Sequence, residues 1–580
     1  MLDVLIIGGG PHALTLATLL THPNHPTPAP GTSDVLDGVQ LSTAKSWPSR
    51  TRSKRRSHAR LGLWHCIAEP VVEALASVEK VSCPPLKLCA VDSYGQWACL
   101  WESQFKALNI PHLRSHTLVH TDPLNKKALQ DFVVQNGREN ELHGLPERVY
   151  IQDENAFFND NRLGKRDKLL LNSSSSGSGG GGCQQKNLCF SLPGTQLSVD
   201  FFTEQVRKYN LESALVKGTV ERILPMLAGE DSLHFRVLMQ NGDAIETKRV
   251  VLATGPTRAQ MANVPAWVSD IGEDYPEDSL QHTVQLMHHL PLHHHQQLEE
   301  ESQTQDHSSC QSPGGPPRVC QPGQRLMVVG GGLTSAHIIS MALQQGARHV
   351  TWVMRKHLQL KQFDVGDVES LIGRYSHVEH GIKMDGLAYL RQFYSERSLH
   401  KRLAMIRQAR KGGAVTPEAY AQLQPYVQTG QLTIRAYCQV SEAKWCYQSQ
   451  MWRLALSCGN YWTGDKIWLA TGCKLDAKQD PLLSDIMAAF PIQVIDGWPC
   501  VMENLRWNAD CPLYLMGQYA ALQIGPHAVN LAGGQAASFR IAKDIISEHS
   551  GTEQLNRAPR DVAKVRTDDY VMNMHGLMWL

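Results

Sequence analysis

Two glycine-rich segments are the residues of this chain whose types and spacing point most directly to chemistry. Each follows an apolar run and has the pattern Gly-x-Gly-x-x-small. The residues are Gly8, Gly10, Pro11 and Ala13 in the first segment and Gly330, Gly332, Thr334 and Ser335 in the second. In such turns the first glycine bends the chain, the second lets backbone N–H groups approach a pyrophosphate, and the small residue lets the next helix pack closely. One copy would be weak evidence, but the pair predicts two bound dinucleotides.

Charged residues follow the second predicted strand of each half, at the position that recognises the adenosine ribose or its phosphate. An apolar segment, residues 85–91, ends at Asp92, and a carboxylate after the second strand binds the adenosine ribose in sites of this kind. We expect Asp92 to have that role, with a turn aspartate that caps the next element as the alternative. In the second half, residues 349–354 end in Arg355 and Lys356, where an acid would select NAD. Positive charge there suits the 2′-phosphate of NADP, with an ordinary exposed basic pair as the alternative.

Cysteine and histidine offer two other kinds of chemistry. The 14 cysteines have no regular spacing, and none forms a C-x-x-C pair. Their spacing therefore indicates neither a zinc site nor a redox-active dithiol. A cluster of histidines raises a metal hypothesis, but a polar stretch of this kind does not favour one, and we predict no metal site. The cluster consists of His288, His289, His293, His294 and His295.

The elements that must position these groups are duplicated. Each glycine turn is followed far downstream by Leu-Ala-Thr-Gly, at residues 252–255 and 469–472. Segments that alternate like antiparallel strands precede both copies, at residues 233–239 and 451–456. The repetition indicates an internal duplication of one module. The sequence therefore predicts an α/β fold with two Rossmann-like dinucleotide-binding domains of the three-layer ββα type.

The composition is that of a globular protein. A length of 580 residues suggests about three or four domain-sized units, and a hydrophobic content of 42% is sufficient for sizeable cores. The net charge of +1 argues against a nucleic-acid partner or binding to a membrane surface. Strand residues begin at position 2 and no apolar run approaches the length of a membrane helix, so we expect neither a signal peptide nor a membrane span, and a cytoplasmic location.

Three stretches have the composition of insertions or linkers. Residues 22–84 include a basic run at 50–56, which we interpret as a solvated loop, with a nuclear-import or phosphate-binding patch as the alternative. Residues 172–187 contain a serine and glycine run that is expected to form a flexible loop. Residues 285–322 carry the histidine cluster and then an acidic, Pro/Gly-rich segment.

Outside these insertions the chain resembles the two-dinucleotide flavin monooxygenases, and within them the N-hydroxylating lysine/ornithine monooxygenase family. Both glycine turns, both Leu-Ala-Thr-Gly segments and residues 517–533 carry the similarity, together with the motif Asp92-x-x-Gly95-x-Trp97-x-x-x-Trp101-x-x-Gln104-Phe105. The Phe-x-Gly-x-x-x-His-x-x-x-Trp fingerprint of the flavin-containing and Baeyer–Villiger monooxygenases was not found, which argues against that branch.

The resemblance implies FAD at the first turn and NADPH at the second, with the NADPH domain inserted in the FAD domain. We expect an FAD-binding domain at residues 1–280, a linker at 281–322, an NAD(P)H-binding domain at 323–475, a return to the FAD-binding domain at 476–548 and a tail at 549–580. Gln104 or His112 is expected near the flavin, although a side chain satisfied by backbone groups is the more common case. A helix N-terminus in the segment with Gly525, Pro526 and Asn530 is expected to face the flavin carbonyls.

The implied activity is that of an NADPH-using monooxygenase in which a flavin C4a-(hydro)peroxide transfers oxygen from O2 to a nucleophilic nitrogen or sulfur. The substrate would be a small amine, amino acid or thioether. Because the cofactor supplies this chemistry, no catalytic triad or carboxylate pair is expected. Two alternatives stay open: a flavin reductase of the disulfide type, whose distant cysteines would have to meet in space, and a non-catalytic regulatory flavoprotein. A homo-oligomer is compatible with the sequence.

Overall fold

The computed structural model describes residues 1–22, 85–143 without 116, 118 and 126, 191–255 without 229–231, 261–287, 318–360, 376–379, 382–385, 392–410 and 413–557. Three expected features therefore lie outside the described residues: nearly all of the insertion at 22–84, the loop at 172–187 and the histidine cluster.

The described α-helices are α1 Pro11–Thr21, α2 Cys99–Ala107, α3 Ala128–Gln135, α4 Thr195–Lys208, α5 Ala266–Ser269, α6 Leu333–Gln344, α7 Leu399–Ala409, α8 Pro417–Gln428, α9 Ser484–Ala489, α10 Ala521–Ile524 and α11 Leu531–Arg557. The described strands before residue 300 are β1 Val4–Ile7, β2 Leu88–Asp92, β3 Leu142–His143, β4 Leu192–Pro193, β5 Leu215–Lys217, β6 Val220–Ala228, β7 Ser232–Met239, β8 Ala244–Thr247, β9 Val250–Leu252, β10 Met261–Ala262 and β11 Leu280–His282. The later strands are β12 Arg325–Val329, β13 His349–Val353, β14 Ser376–Glu379, β15 Ile382–Asp385, β16 Leu432–Arg435, β17 Val440–Cys446, β18 Met451–Leu456, β19 Tyr461–Gly464, β20 Lys466–Leu469, β21 Cys473–Lys474, β22 Val494–Ile495, β23 Trp498–Pro499 and β24 Leu513–Leu515.

The first glycine turn belongs to a five-stranded sheet, the first sheet, with the strand order β24-β9-β1-β2-β5. All of its pairings are parallel. The strand residues are continuous apolar runs because both faces of the sheet are covered. One face, with Val4 and Ile6, packs on α1, α4 and α11, and the other, with Leu5 and Ile7, packs on the antiparallel sheet β6-β7-β8.

The second glycine turn belongs to a sheet built in the same way, the second sheet, with the order β11-β20-β12-β13-β16. Its pairings are also parallel. Leu326 and Val328 face α6 and α8, whereas Met327 faces the antiparallel sheet β17-β18-β19. The mixed α/β fold with parallel sheets is therefore confirmed, and the two sheets with their covering layers are called the first and second units below.

The chain order shows how the two units are connected. Every strand of the second sheet comes from residues 280–469, between β9 and β24 of the first sheet. Two boundaries differ from the sequence analysis. Residues 280–282 form an edge strand against β20, although a linker was expected from 281, because Leu280 continues the parallel pairing opposite Ile467. Helix α11 continues to Arg557, past the expected start of the tail at 549. Its residue Ile545 is buried in the hydrophobic core of the first unit. No helix among the described residues is long and apolar enough to span a membrane.

The first glycine of each turn lies against the alanine of its Leu-Ala-Thr-Gly segment. Gly8 has φ +114° and Gly330 has φ +134°. A Cβ atom on Gly8 would lie 2.5 Å from the Ala253 carbonyl oxygen, and one on Gly330 would lie 2.1 Å from that of Ala470. The two halves therefore repeat the same close approach of turn and strand, and glycine is required at both positions.

Replacement of Gly8 by alanine is expected to destabilise the protein. The added Cβ must occupy both a disfavoured backbone conformation and the space of the Ala253 oxygen, at a combined cost of roughly 2–5 kcal/mol. Thermal unfolding followed by circular dichroism measures the change. Gly272→Ala is the control, because no described atom lies within 4 Å of a Cβ at that position. Equal unfolding temperatures for the two variants would contradict the close packing at Gly8.

Candidate functional site

The first glycine turn lies at the carboxyl edge of the first sheet. The carboxylate of Asp92, at the end of β2, accepts a hydrogen bond from the Gly9 N–H at 2.8 Å and another from the Tyr94 N–H at 2.9 Å. The loop after β2 also returns to the turn, since the Ala98 N–H donates to the Gly9 carbonyl at 2.7 Å. The structure thus places Asp92 directly against the turn. The bond to Tyr94 has the form expected for a turn aspartate, and each oxygen keeps a second lone pair for a further donor.

The second glycines of the two turns face open space. A Cβ atom on Gly10 or Gly332 would meet no atom of the described residues within 4 Å. Each residue is the N-cap of the following helix, α1 or α6, and neither cap makes a side-chain hydrogen bond. The first N–H groups of a helix have no partner within it and carry the positive end of its dipole. Both turns therefore present backbone donors of the kind that binds a pyrophosphate.

The remaining predicted residues of the turns differ in exposure. Pro11 begins α1 and is partly buried, whereas Ala13 is buried in the hydrophobic core of the first unit. Thr334 is exposed at the start of α6. Ser335 is buried, and its hydroxyl donates to the Gly330 carbonyl at 2.8 Å. The small residue therefore serves the packing of the turn, and the exposed threonine is the side chain that faces solvent.

A segment after α7 covers one side of the second turn. A Cβ on Gly413 would lie 2.5 Å from the carbonyl carbon of Gly331 and 2.7 Å from the nitrogen of Gly332. Residue 413 therefore rests its backbone directly on the turn. Sequence analysis did not single out this glycine, because no local motif surrounds it.

Replacement of Gly413 by alanine is expected to weaken nucleotide binding at the second turn. The turn or the segment must shift to admit the Cβ, and overpacking of this kind costs about 1–3 kcal/mol. If the turn shifts, its N–H groups are misplaced and Kd for NADPH rises by about 5- to 150-fold. Calorimetric titration with NADPH measures this, with FAD content as the internal control. An unchanged Kd would mean that the segment moves away without disturbing the turn.

Arg355 and Lys356 follow β13, and both side chains are exposed. The connection between β16 and β17 holds their backbone, because the Cys438 N–H donates to the Met354 carbonyl at 3.0 Å and the Tyr437 N–H to the Lys356 carbonyl at 3.4 Å. The strand end is thus fixed while the two cationic side chains are accessible.

The residues between β2 and β3 have mixed surroundings. The Trp97 indole N–H donates to the Leu211 carbonyl at 3.1 Å, within the first unit. Gln104 is partly buried on α2. Nδ1 of His112 lies 3.0 Å from the Leu113 carbonyl oxygen, and its ring centroid is 4.8 Å from that of His143. The contacts of Trp97 and His112 are those of polar groups satisfied within the protein.

The segment from Gly525 to Asn530 reaches the first turn. Nε2 of His12 lies 2.9 Å from the Asn530 carbonyl oxygen, and the Asn530 side-chain oxygen accepts a hydrogen bond from Arg114 at 2.6 Å. On the other side, the Arg410 guanidinium donates to the Pro526 carbonyl at 3.0 Å. The structure therefore brings this segment together with the first turn, as well as with residues of the second half of the chain.

Arginines that sequence analysis did not single out surround the same segment. Arg402, on α7, donates to the Gln523 side chain at 2.8 Å and to the Leu522 carbonyl at 3.2 Å. Arg540, on α11, donates to the Gln523 carbonyl at 3.4 Å. Since α7 lies in the chain between two strands of the second sheet, a crossover of the second unit packs against the first unit. No motif marks α7, so these contacts could not be predicted from the sequence.

Two histidines belong to this region: His527 is buried within the segment, and His337 on α6 is partly buried near Arg114. Burial, and then electrostatic interactions with Arg114 and His112, lower the pKa of His337 to about 4. Burial, and then Arg540 and Arg410, lower the pKa of His527 to about 4. Both imidazoles are therefore neutral at pH 7 and able to donate and accept hydrogen bonds. Among the described residues, Nε2 of His527 has no hydrogen-bond partner. Within the same residues, no group of three or more His, Cys, Asp or Glu side chains is arranged to hold a metal ion.

Comparison with known proteins identifies the fold. Neither a protein-family model nor a curated protein matches the sequence. An ornithine hydroxylase from Pseudomonas aeruginosa superposes with a TM-score of 0.52 and 13% identity, over 94% of this chain and 99% of that chain. An L-lysine 6-monooxygenase from Pseudomonas syringae superposes with a TM-score of 0.50 and 14% identity, over 95% of this chain and 100% of that chain. The chain therefore shares the fold of these two enzymes over nearly their whole length.

Proposed function

We propose that this chain is an FAD-dependent monooxygenase that uses NADPH, with FAD at the first glycine turn and NADPH at the second. The observation that carries the proposal is the pair of turns at which Gly10 and Gly332 leave room beside uncapped helix N-termini. The shared fold supports it, since the similar structures are an ornithine hydroxylase and a lysine monooxygenase.

The residues around the first turn fit FAD. Backbone N–H groups at Gly10 and the start of α1 would hold the pyrophosphate, and Asp92 would accept the ribose hydroxyl on its remaining lone pairs. The Gly525–Asn530 segment would contact the flavin, because Asn530 is joined to the first turn through His12. When bound, FAD supplies the transfer of electrons from NADPH to oxygen. The protein must orient both nucleotides and keep water out.

The residues around the second turn fit NADPH. Arg355 and Lys356 would hold the 2′-phosphate at the end of β13. We propose that the second unit is the NADPH domain, inserted in an FAD domain that β24 and α11 complete. The nested order of the strands supports this arrangement. Because Gly413 rests on the same turn, NADPH has to bind beside it or displace it.

The proposed substrate is a small molecule with a nucleophilic nitrogen or sulfur. Among an amine, an amino acid and a thioether, the positive charges around residues 522–530 favour the amino acid. Arg114, Arg402, Arg410 and Arg540 all donate hydrogen bonds within residues 522–530. The resulting positive field attracts the carboxylate that an amino acid carries.

The rates of NADPH oxidation and oxygen consumption, measured on the same sample with candidate amino acids, test the proposal. A monooxygenase consumes one O2 for each NADPH and yields a product that mass spectrometry finds 16 Da heavier than the substrate. A disulfide reductase would oxidise NADPH with a disulfide and spare oxygen, and a regulatory flavoprotein would bind FAD with negligible turnover. Either result would refute the proposal. Cys438 and Cys458 meet in the described part of the chain. A disulfide reductase would need its cysteine pair beside the flavin, whereas the contacts of these two residues lie in the second unit, so the pair does not favour a reductase.

A further inference from the structure

Cys438 and Cys458 lie opposite each other at one end of the antiparallel sheet in the second unit. Val440 on β17 is paired with Leu456 on β18. The register continues outward, because the Ser457 N–H donates to the Gln439 carbonyl at 2.8 Å. One position further along, Cys438 faces Cys458, and their Sγ atoms are 3.6 Å apart.

The backbone geometry suits a covalent bond between the two sulfur atoms. Directly opposed residues of an antiparallel ladder have Cα atoms about 4.5–5.5 Å apart, and disulfides span about 4.4–6.8 Å. Cys438 and Cys458 lie just beyond the strand ends, one position past the last backbone hydrogen bond of this ladder. The two side chains are already in contact as thiols. Bond formation therefore requires rotation of the side chains and little movement of the strands.

The two thiols differ in exposure and acidity. Cys458 is exposed in the turn between β18 and β19, whereas Cys438 is buried. The backbone N–H of Asn460 and then the Cys438 thiol lower the pKa of Cys458 through hydrogen bonds. Burial raises the pKa of Cys438. Since the thiolate is the nucleophile in thiol chemistry, Cys458 is the cysteine that attacks and Cys438 the one that resolves.

We propose that Cys458 and Cys438 form a two-cysteine site that hydrogen peroxide oxidises to a disulfide. The Cys458 thiolate attacks one peroxide oxygen, the O–O bond breaks, and the departing hydroxide takes a proton and leaves as water. Cys458 is then a sulfenic acid. The Cys438 sulfur attacks the sulfenic sulfur, the S–OH bond breaks, and the hydroxyl leaves as a second water with the Cys438 proton. The two thiols give two electrons in total, and one peroxide becomes two waters.

The location of this site links it to the strand end that carries Arg355 and Lys356. The Cys438 N–H is bonded to the Met354 carbonyl, directly before the two basic residues. A disulfide would tie that strand end, through Cys438, to the turn between β18 and β19. The oxidation itself does not depend on the proposed function, because any source of peroxide suffices.

Peptide mapping of the full chain tests the proposal. The protein is reduced with dithiothreitol, freed of it, treated with hydrogen peroxide, alkylated with iodoacetamide and digested with trypsin. Trypsin places the two cysteines in separate peptides, residues 436–444 and 454–466. We expect these peptides to be joined with the loss of two hydrogen atoms, and dithiothreitol to release them. Recovery of both as alkylated peptides, or a cross-link from Cys458 to another cysteine, would overturn the proposal.

Variants separate the two chemical roles. Cys438→Ser is expected to leave Cys458 as a sulfenic acid that dimedone traps, and Cys458→Ser to abolish the cross-link and leave Cys438 alkylated. Cys446→Ser is the matched control, because Cys446 is a partly buried cysteine on β17 of the same sheet and should not affect the cross-link. A dimedone adduct on Cys438 in the Cys458→Ser variant would reverse the assigned roles and refute them. The wild-type map requires no variant to fold.

Discussion

Gly10→Val is expected to give a folded protein that has lost FAD. The space beside Gly10 contains no described atom within 4 Å, so the valine side chain meets no protein neighbour there. It instead occupies the position from which a pyrophosphate would approach the N-terminus of α1. Loss of two charge-assisted hydrogen bonds corresponds to roughly 3–6 kcal/mol, or about a 150- to 25,000-fold weaker affinity for FAD. The visible absorbance of the purified protein and titration of the apoprotein with FAD measure the effect.

Gly332→Val is the matched variant in the second unit. It is expected to retain FAD and lose NADPH binding, because Gly332 faces open space in the same way. Circular dichroism spectra like those of the wild type would show that both variants are folded. Full FAD content in Gly10→Val would contradict the assignment of the first turn.

Arg355→Ala is expected to reduce kcat/KM for NADPH by about 10- to 100-fold and to leave the value for NADH nearly unchanged. A guanidinium binds a phosphate through two parallel hydrogen bonds, whereas NADH presents a ribose hydroxyl at the same position. A charge-assisted hydrogen bond contributes about 1.5–3 kcal/mol, from which the expected factor follows. Steady-state kinetics with both nucleotides, in the wild type and the variant, measure it.

Arg348→Ala is the control for the loss of a positive charge, because Arg348 lies before β13, at the other end of the strand. It should leave the preference for NADPH unchanged. Equal losses with NADPH and NADH in Arg355→Ala would show that Arg355 has a structural role. A wild-type preference for NADH would refute the assignment of the strand end altogether.

Much of the fold was predictable because its signals are local. The turns at Gly8 and Gly330 can be recognised within ten residues of sequence. The leucine of each Leu-Ala-Thr-Gly segment is the last residue of β9 or β20, and antiparallel strands precede each copy. Asp92 could be placed at the first turn because β1 and β2 are neighbouring parallel strands. In each of these cases one short pattern determines one element.

The contacts that sequence analysis missed are formed between distant parts of the chain. Arg402 and Arg410 reach residues 522–526 because α7, a crossover of the second unit, packs on the first unit. No sequence pattern predicts that packing. The contact of Gly413 with the second turn and that of Cys438 with Cys458 also join residues that are distant in the sequence. Cysteine spacing in the sequence excluded a C-x-x-C motif, but it could not show that two strands bring these sulfur atoms together.

The pairing of β10 with β21 has a mechanical consequence. The chain passes between the two units twice, through residues 253–279 and 470–512, and both passages contribute a strand to this two-stranded ribbon. Two further hydrogen bonds extend it, from the Asn263 N–H to the Gly472 carbonyl and from the Thr471 hydroxyl to the Asn263 carbonyl. Because the two connections are hydrogen-bonded to each other, we expect them to move together as one connection. A rotation of the second unit about this ribbon would have to break the hydrogen bonds that Arg402 and Arg410 donate to residues 522–526.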